Sequence, residues 1–149
     1  RFHGPLGTFF LREDTARPLL FIGGGTGFAP LKSMLEHAFN VGIQRPMHLY
    51  WGVRNRVDLY LDALPRHWVK QQAHFRYTPV LSAPQPQDNW SGRTGWVHAA
   101  LAADYADLSG YDVYMSGPPA MIAAAKPAFA AQGLPPEQLF YDSFEFSST

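Results

Sequence analysis

A glycine-rich turn with the sequence Gly23-Gly24-Gly25-Thr26-Gly27-Phe28-Ala29-Pro30 contains the residues of this chain best suited to hold a ligand. It lies between a short apolar run and a segment of helical periodicity. Glycines let backbone N–H groups approach a phosphate with no Cβ in the way, and the start of a helix carries about half a positive charge. The turn therefore predicts a site for an anion such as a dinucleotide diphosphate. A turn that only packs a strand against a helix is the alternative interpretation.

The spacing of this turn excludes two common phosphate-binding motifs. Phe28 stands where the dehydrogenase pattern G-x-G-x-x-G needs its third glycine. No Lys-Ser or Lys-Thr pair directly follows the glycines, as it does in a P-loop. The turn therefore indicates another kind of dinucleotide domain, in which a wider turn admits the diphosphate and leaves room for a nicotinamide ring.

Two further turns are predicted at the same edge of the fold. Ser116-Gly117-Pro118-Pro119 follows an apolar strand and opens the last helix. Because the carboxyl ends of parallel strands gather at one edge, this turn and the glycine-rich turn should face one crevice that fits a flat ring. Taken alone, the two prolines would be a simple helix start. Gly92-Arg93-Thr94-Gly95 is predicted at this edge too, with Arg93 either a phosphate ligand or a solvated arginine.

The segment Gly52-Val53-Arg54-Asn55-Arg56-Val57-Asp58 follows the second predicted strand, where such a domain meets the adenosine half of its cofactor. Arg54 or Arg56 is suited to pair with a 2′-phosphate. Asp58 is suited to ribose hydroxyls, or it caps a helix that begins at Leu59. The residues alone leave these alternatives open.

The composition is that of one globular domain without excess charge. Twelve basic and twelve acidic side chains among 149 residues give no net positive charge that would attract nucleic acid. The sequence has no cysteine, so this chain can hold no iron–sulfur cluster, and redox chemistry needs an organic cofactor. Six scattered histidines lack metal-ligand spacing, and none is assigned to a site. Without a membrane-spanning apolar run or a signal peptide, we expect a cytoplasmic protein with no membrane partner.

Short apolar runs alternate with segments of helical period, a pattern typical of βαβ units and a parallel sheet. The five predicted strands are 19–23, 47–52, 75–82, 112–116 and 139–144. The four predicted helices start at 30, 59, 95 and 119 and end before 42 and at 72, 105 and 132, with Pro65 kinking or splitting the second. We therefore expect a doubly wound α/β domain with helices on both faces of the sheet.

These motifs in this order resemble the NAD(P)-binding domain of the ferredoxin-NADP reductase superfamily. The nearest resemblance is to reductases of bacterial oxygenases and of the CDP-6-deoxy-3,4-glucoseen reductase type. The matching segments are 4–7, 23–34, 50–54 with 58–59, 92–95 and 116–119. The resemblance implies a sheet of five parallel strands in the order 3-2-1-4-5.

The resemblance also implies partners for this domain. Residues 1–14 would be the remnant of a flavin-binding β-barrel and a linker, with residues 2–12 as the last barrel strand, and 15–149 the NAD(P)-binding domain. FAD would be bound by the barrel of the same polypeptide, and a 2Fe-2S cluster, where there is one, by a further domain. Electrons would pass to a downstream acceptor domain or protein. This chain would then form half of an active site.

Three residues are placed near the reacting atoms by the resemblance. Ser116 stands where relatives usually have a cysteine, and its hydroxyl is expected to orient the nicotinamide for hydride transfer to the flavin. Asp142 and Phe144 match a carboxylate and an aromatic residue that border the flavin; Phe144 either covers the flavin ring or is an ordinary strand residue. NADH is the expected donor, with NADPH open. A non-catalytic dinucleotide-sensing or adaptor module is the alternative function.

Overall fold

The computed structural model describes residues 11–143. This part of the chain contains six strands and four helices. The strands are β1 (Leu19–Gly24), β2 (Met47–Val53), β3 (Phe75–Leu81), β4 (Arg93–Thr94), β5 (Asp112–Gly117) and β6 (Leu139–Ser143). The helices are α1 (Phe28–Asn40), α2 (Ala63–Gln71), α3 (Val97–Asp104) and α4 (Pro119–Ala131). All neighbouring strands run parallel in one sheet, in the order β4-β3-β2-β1-β5-β6.

The helices divide between the two faces of the sheet. α1 and α2 pack on the face that carries Phe21 and Trp51, and α3 and α4 pack on the face that carries Tyr50 and Met115. Central strands are therefore buried on both sides, and all six residues of β1 are buried. The helices of residues 11–143 are too short or too polar to traverse a lipid bilayer. The predicted doubly wound α/β class is confirmed, together with the order of the five predicted strands.

The number of strands was wrong, because the sheet has six strands and not five. The additional strand is β4, which pairs with the end of β3 through Val80–Arg93 and Leu81–Thr94. A strand of two residues shows no alternation of apolar and polar side chains, so no periodic pattern revealed it.

Three helices begin at residues other than those predicted, and one of them is α3, which begins at Val97 and not at Gly95. α1 begins at Phe28, two residues before Pro30, because the missing N–H of a proline costs nothing in the first turn. α2 begins at Ala63 and not at Leu59, after a turn of 3-10 helix over Arg56–Asp58. Pro65 therefore lies in the first turn of α2, where it does not kink the helix. Residues 2–10 of the predicted barrel strand lie outside the described residues, and Leu11 and Arg12 belong to no strand among the described residues. The division of the chain at residue 14 stays a prediction.

Strand register brings the ends of three strands together. Gly23 in β1 lies opposite Trp51 in β2 and Ser116 in β5, and Gly24 lies opposite Gly52. The glycine-rich turn, the 52–58 segment and the 116–119 turn therefore leave the sheet side by side. The sequence prediction that these segments share one edge is confirmed by this register.

Candidate functional site

The glycine-rich turn connects β1 to α1 through one turn of 3-10 helix, Gly25–Gly27. Gly25 has a φ of +56°, which favours glycine, and a Cβ added there would meet no atom within 4 Å. The indole N–H of Trp51 donates to the carbonyl oxygen of Gly25 at 2.9 Å. α1 starts at Phe28 without a side-chain cap and without an acidic residue in its first turn. Its N-terminal N–H groups therefore suit an approaching anion.

Other glycines of this region serve close packing. A Cβ on Gly27 would overlap the carbonyl oxygen of Ser116, and one on Gly23 would lie 3.2 Å from a methyl group of Leu31. A Cβ on Gly52 would lie 2.5 Å from the Cβ of Val97. The two interpretations of the turn therefore apply to different residues, since Gly25 opens to solvent whereas Gly23 and Gly27 bring the backbone of β1 and α1 against their neighbours.

A cleft of about 530 Å³ lies beside this turn, within the size range of cofactor pockets. It extends along the carboxyl ends of β1, β2 and β3, and the starts of α3 and α4 close one side. Most of its lining is glycine or apolar, with few charged or hydroxyl groups. The lining residues are Gly24, Gly25, Gly52, Val53, Arg54, Val57, Asp58, Tyr60, Ser82, Gly95, Trp96, Val97, Pro118 and Met121.

Three large apolar side chains on the wall of this cleft are open to solvent. Trp96 is 70% exposed, Tyr60 52% and Val57 82%. The ring of Tyr60 contacts the buried ring of Trp51 edge-on, at 5.3 Å between centroids. Exposed apolar groups gathered in one concave site are typical of a ligand-binding surface and not of an ordinary solvated face.

Arg54 and Asp58 are the charged residues of the cleft. Neither side chain has a hydrogen bond or an ion pair to another residue within 11–143. The alternative role of Asp58 as a helix cap is not observed, because α2 begins five residues later, at Ala63, with Asp62 at the cap position. Both charges are therefore available to a ligand at this end of the cleft.

Arg56 and Arg93, the other two candidate cations, lie outside the lining of this cleft. The guanidinium of Arg56 donates to the carbonyl oxygen of Asp88 at 2.8 Å and lies over the ring of Trp90. Arg93 forms an ion pair with Asp104, with 2.8 Å between Nη1 and Oδ2. Both arginines face a second, smaller cleft at the outer edge of the sheet.

Ser116 and Asp142 are direct neighbours on β5 and β6. Ser116 is fully buried, and its Oγ has no hydrogen-bond partner among residues 11–143. Because side chains alternate along a strand, Ser116 faces the same side of the sheet as Tyr114 and α1. A buried hydroxyl that lacks a partner is uncommon in proteins, and Ser116 itself is not among the residues that line the cleft. Phe144 lies outside the described residues.

The remaining predicted residues surround the start of α4 and α1. Pro118 lines the cleft, and Pro119 is the exposed first residue of α4. Gly117 is buried beneath the side chain of Met121. Thr26 belongs to the 3-10 turn, and Pro30 lies half-buried in the first turn of α1, outside the lining of the cleft.

Several residues in or beside the cleft escaped the sequence analysis, among them Trp51, Tyr60, Trp96 and Met121. Trp51 and Tyr60 lie in runs that indicate a buried strand or a helix, so their types gave no sign of a ligand. Trp96 had a detectable signal, since a large aromatic residue beside Gly95 in a polar loop is unusual. Met121 becomes part of the site only because α4 turns back over Gly24.

The doubly wound sheet and the cleft at its carboxyl edge define a dinucleotide-binding α/β domain. The chain belongs to the oxidoreductase NAD-binding domain family, whose model matches residues 21–127. This confirms the resemblance to the NAD(P)-binding domain of the ferredoxin reductase superfamily.

Relatives of known name share more than a third of their aligned residues with this chain. The chain is 43% identical over 144 residues to a CDP-6-deoxy-L-threo-D-glycero-4-hexulose-3-dehydrase reductase of Yersinia pestis, covering 97% of this chain and 43% of that protein. It is 37% identical to an NAD(P)H-flavin reductase of Aliivibrio fischeri, covering 95% and 59%. The Amycolatopsis reductase GcoB has a similar structure, with a TM-score of 0.85, 34% identity and coverage of 97% and 44%. The chain thus spans less than two thirds of the length of each of them.

Proposed function

We propose that this chain binds NADH and positions its nicotinamide for hydride transfer to FAD held by another domain of the same polypeptide. The observation that carries the proposal is the cleft beside Gly25, which combines an uncapped helix start, an open left-handed glycine and unpaired charges. The names of the similar reductases support the flavin part. Onward transfer to an iron–sulfur centre or protein, and a cytoplasmic location, belong to the same proposal.

The diphosphate is proposed to bind at the start of α1. Gly24 and Gly25 line the cleft beside this turn, and the uncapped start of α1 that follows them carries a partial positive charge. Trp51 fixes the Gly25 peptide through its hydrogen bond, so little ordering remains to be done on binding. The turn thereby offers a preformed anion site.

The adenosine half is proposed to extend along the apolar wall toward Arg54 and Asp58. Tyr60 and Trp96 offer exposed aromatic faces to a planar base. The unpaired carboxylate of Asp58 suits the ribose hydroxyls and would repel a 2′-phosphate, which favours NADH. Arg54 is the feature that favours NADPH. Arg93 has no part in this arrangement, because Asp104 already neutralises it.

The nicotinamide is proposed to lie between the glycine-rich turn and the 116–119 turn, near Thr26 and Ser116. The orphan Oγ of Ser116 fits a carboxamide as its missing partner. Reduced nicotinamide supplies the hydride when it is bound, and the role of this chain is to hold the ring in position for the transfer. Asp142, beside Ser116 on the next strand, and Phe144 are proposed to border the flavin.

Calorimetric titration of the chain with NADH and NADPH at low salt tests the dinucleotide site. We expect NADH to bind more tightly than NADPH, and Gly25→Val to abolish binding because its side chain projects into the path of the diphosphate. Gly42→Val is the matched control, since Gly42 also has a positive φ of +79° and open space, but lies at the other end of α1. A Gly25→Val chain that binds NADH as the unmodified chain does would contradict the proposed diphosphate position.

The flavin part of the proposal is tested by stopped-flow reduction of the polypeptide that includes the FAD-binding domain. The chain without that domain is expected to transfer no electrons from NADH to an artificial acceptor. Ser116→Ala is expected to slow flavin reduction while changing NADH affinity little, because most of the binding contacts lie elsewhere in the cleft. An unchanged rate would remove Ser116 from the proposal. Dinucleotide binding with no flavin reduction in the longer polypeptide would support the sensing module instead.

A further inference from the structure

Met121 differs from the other methionines of this chain in its surroundings. The sequence has four methionines. Met34, Met47 and Met115 are buried in the two cores, with exposures of 6%, 1% and 0%. Met121, near the start of α4, is half-buried and lines the cleft beside the glycine-rich turn. Among the four methionines, Met121 is therefore the one that solvent in the cleft contacts.

The thioether of Met121 fills a notch formed by two glycines. A Cβ on Gly24 would lie 2.5 Å from its sulfur, and a Cβ on Gly117 would lie 2.9 Å from the sulfur and 2.8 Å from the terminal methyl group. The sulfur therefore touches the end of β1 and the end of β5, which are the two strand ends assigned above to the dinucleotide. No space for an additional atom remains on the sides that face these glycines.

We propose that Met121 is an oxidative modification site through which peroxide closes the dinucleotide cleft. The peroxide transfers one oxygen atom to the sulfur, the O–O bond breaks, the sulfide is oxidised to a sulfoxide, and the peroxide is reduced to water. The proposal rests on the proposed function, because it assumes that the cleft holds the dinucleotide. Reduced flavin that meets dioxygen in place of its acceptor produces hydrogen peroxide, which would supply the oxidant.

The packing of the sulfur limits where an added oxygen can lie. Gly24 and Gly117 leave no room on the sides that face them, and Met121 lines the cleft, so the new S–O bond is expected to point toward the cleft. Its oxygen carries partial negative charge and stands next to the turn proposed to receive the diphosphate. Steric obstruction and electrostatic repulsion then act together against binding. Methionine sulfoxide reductases reverse the modification, which makes the closure a switch and not damage.

Peroxide treatment of the chain, followed by peptide mass spectrometry and NADH titration, tests the proposal. We expect Met121 to gain oxygen before the other three methionines and the affinity for NADH to fall at least about tenfold. Incubation with methionine sulfoxide reductases A and B should restore the affinity. Met121→Leu should keep its own affinity unchanged through the treatment, whereas the control Met34→Leu should lose affinity as the unmodified chain does.

Three results would overturn this inference. They are oxidation of a buried methionine before Met121, full oxidation of Met121 with unchanged NADH affinity, and equal loss of affinity in the Met121→Leu chain. Failure of the untreated chain to bind either dinucleotide would contradict the proposed function instead. The order of oxidation among the four methionines would then still decide whether Met121 is the exposed modification site.

Discussion

Gly25 and Gly27 are glycines for different physical reasons. Gly25 adopts a left-handed conformation with open space around it, so its restriction is conformational. Gly27 has an ordinary φ of −61°, and its restriction is steric, because the Ser116 carbonyl oxygen occupies the position of a Cβ. This second contact holds the start of α1 against the end of β5 and so joins the positions proposed for the diphosphate and the nicotinamide.

Gly27→Ala is expected to lower the free energy of unfolding by about 1–3 kcal/mol, because α1 must move away from β5. Urea denaturation measures the change, and NADH affinity should fall with it. Gly110→Ala is the matched control, since its Cβ would meet nothing within 4 Å and its φ is not positive. The control should lie within about 0.5 kcal/mol of the unmodified chain. A Gly27→Ala chain as stable as the control would show that the backbone around Ser116 accommodates the added methyl group without strain.

At the scale of residues, sequence patterns predicted the edge of the sheet at which the cleft lies but not which charged side chains line it. Arg54 and Arg56 occur two residues apart in one polar segment, and nothing in their spacing separates them. The distinction comes from a loop more than thirty residues later, where the carbonyl oxygen of Asp88 accepts from Arg56. Arg54 has no such acceptor among the described residues. Long-range partners of this kind leave no local signal.

At the scale of elements, a buried ion pair fixes the segment before β1 to the amino end of the sheet. Arg45, 9% exposed, donates to the carbonyl oxygens of Arg12 and Arg17, both at 2.7 Å, and to Asp112 at 2.8 Å. Asp112, fully buried at the start of β5, also accepts from Thr15 at 2.7 Å. The Arg45 guanidinium thus supplies hydrogen-bond donors to backbone carbonyl oxygens of the segment before β1, which has no regular secondary structure.

Arg45→Met is expected to destabilise the chain by about 3–5 kcal/mol, because it leaves the buried Asp112 carboxylate with fewer partners. NADH affinity should change little, since the cleft lies at the opposite ends of the strands. Arg66→Met is the control; its ion pair with Asp62 is exposed, so it should cost at most about 1 kcal/mol. If urea denaturation gave the two variants the same loss in free energy of unfolding, burial of the Arg45–Asp112 pair would contribute nothing to stability.

The elements themselves were largely predictable from the sequence. Five strands and four helices follow from apolar runs, helical period and the positions of glycine and proline, which are local properties. β4 was missed because two residues at a sheet edge have no period. The partnership of Arg45 with Asp112 was missed because 67 residues separate them.

At the scale of the whole molecule, stability is linked to pH through one buried histidine. His48 lies in β2 and hydrogen-bonds with Tyr105 Oη and Thr78 Oγ1, each at 2.7 Å. Burial, aided by the positive charges of Arg76 and Arg93 and opposed by Asp104, lowers the pKa of His48 from 6.5 to about 4. The folded chain therefore holds this imidazole in its neutral form.

The unfolded chain binds a proton at His48 below pH 6.5, and the folded chain does so only below about pH 4. The free energy of unfolding should therefore fall as the pH drops through this interval, by up to about 3 kcal/mol from His48 alone. His48→Gln should remove that part of the slope, which urea denaturation at pH 7.5 and 4.5 measures. Identical slopes in the variant and the unmodified chain would assign the pH dependence to other groups.

The exposed indole of Trp96 gives the cleft an optical reporter of its own. Trp51 and Trp68 are buried, at 0% and 5% exposure, and Trp90 is half-buried at the second cleft, whereas Trp96 is 70% exposed on the wall of the cleft. A solvated indole emits at longer wavelength than a buried one, and reduced nicotinamide absorbs where tryptophan emits. Occupancy of the cleft should therefore be visible as quenching of the red-shifted part of the intrinsic fluorescence, with no label attached.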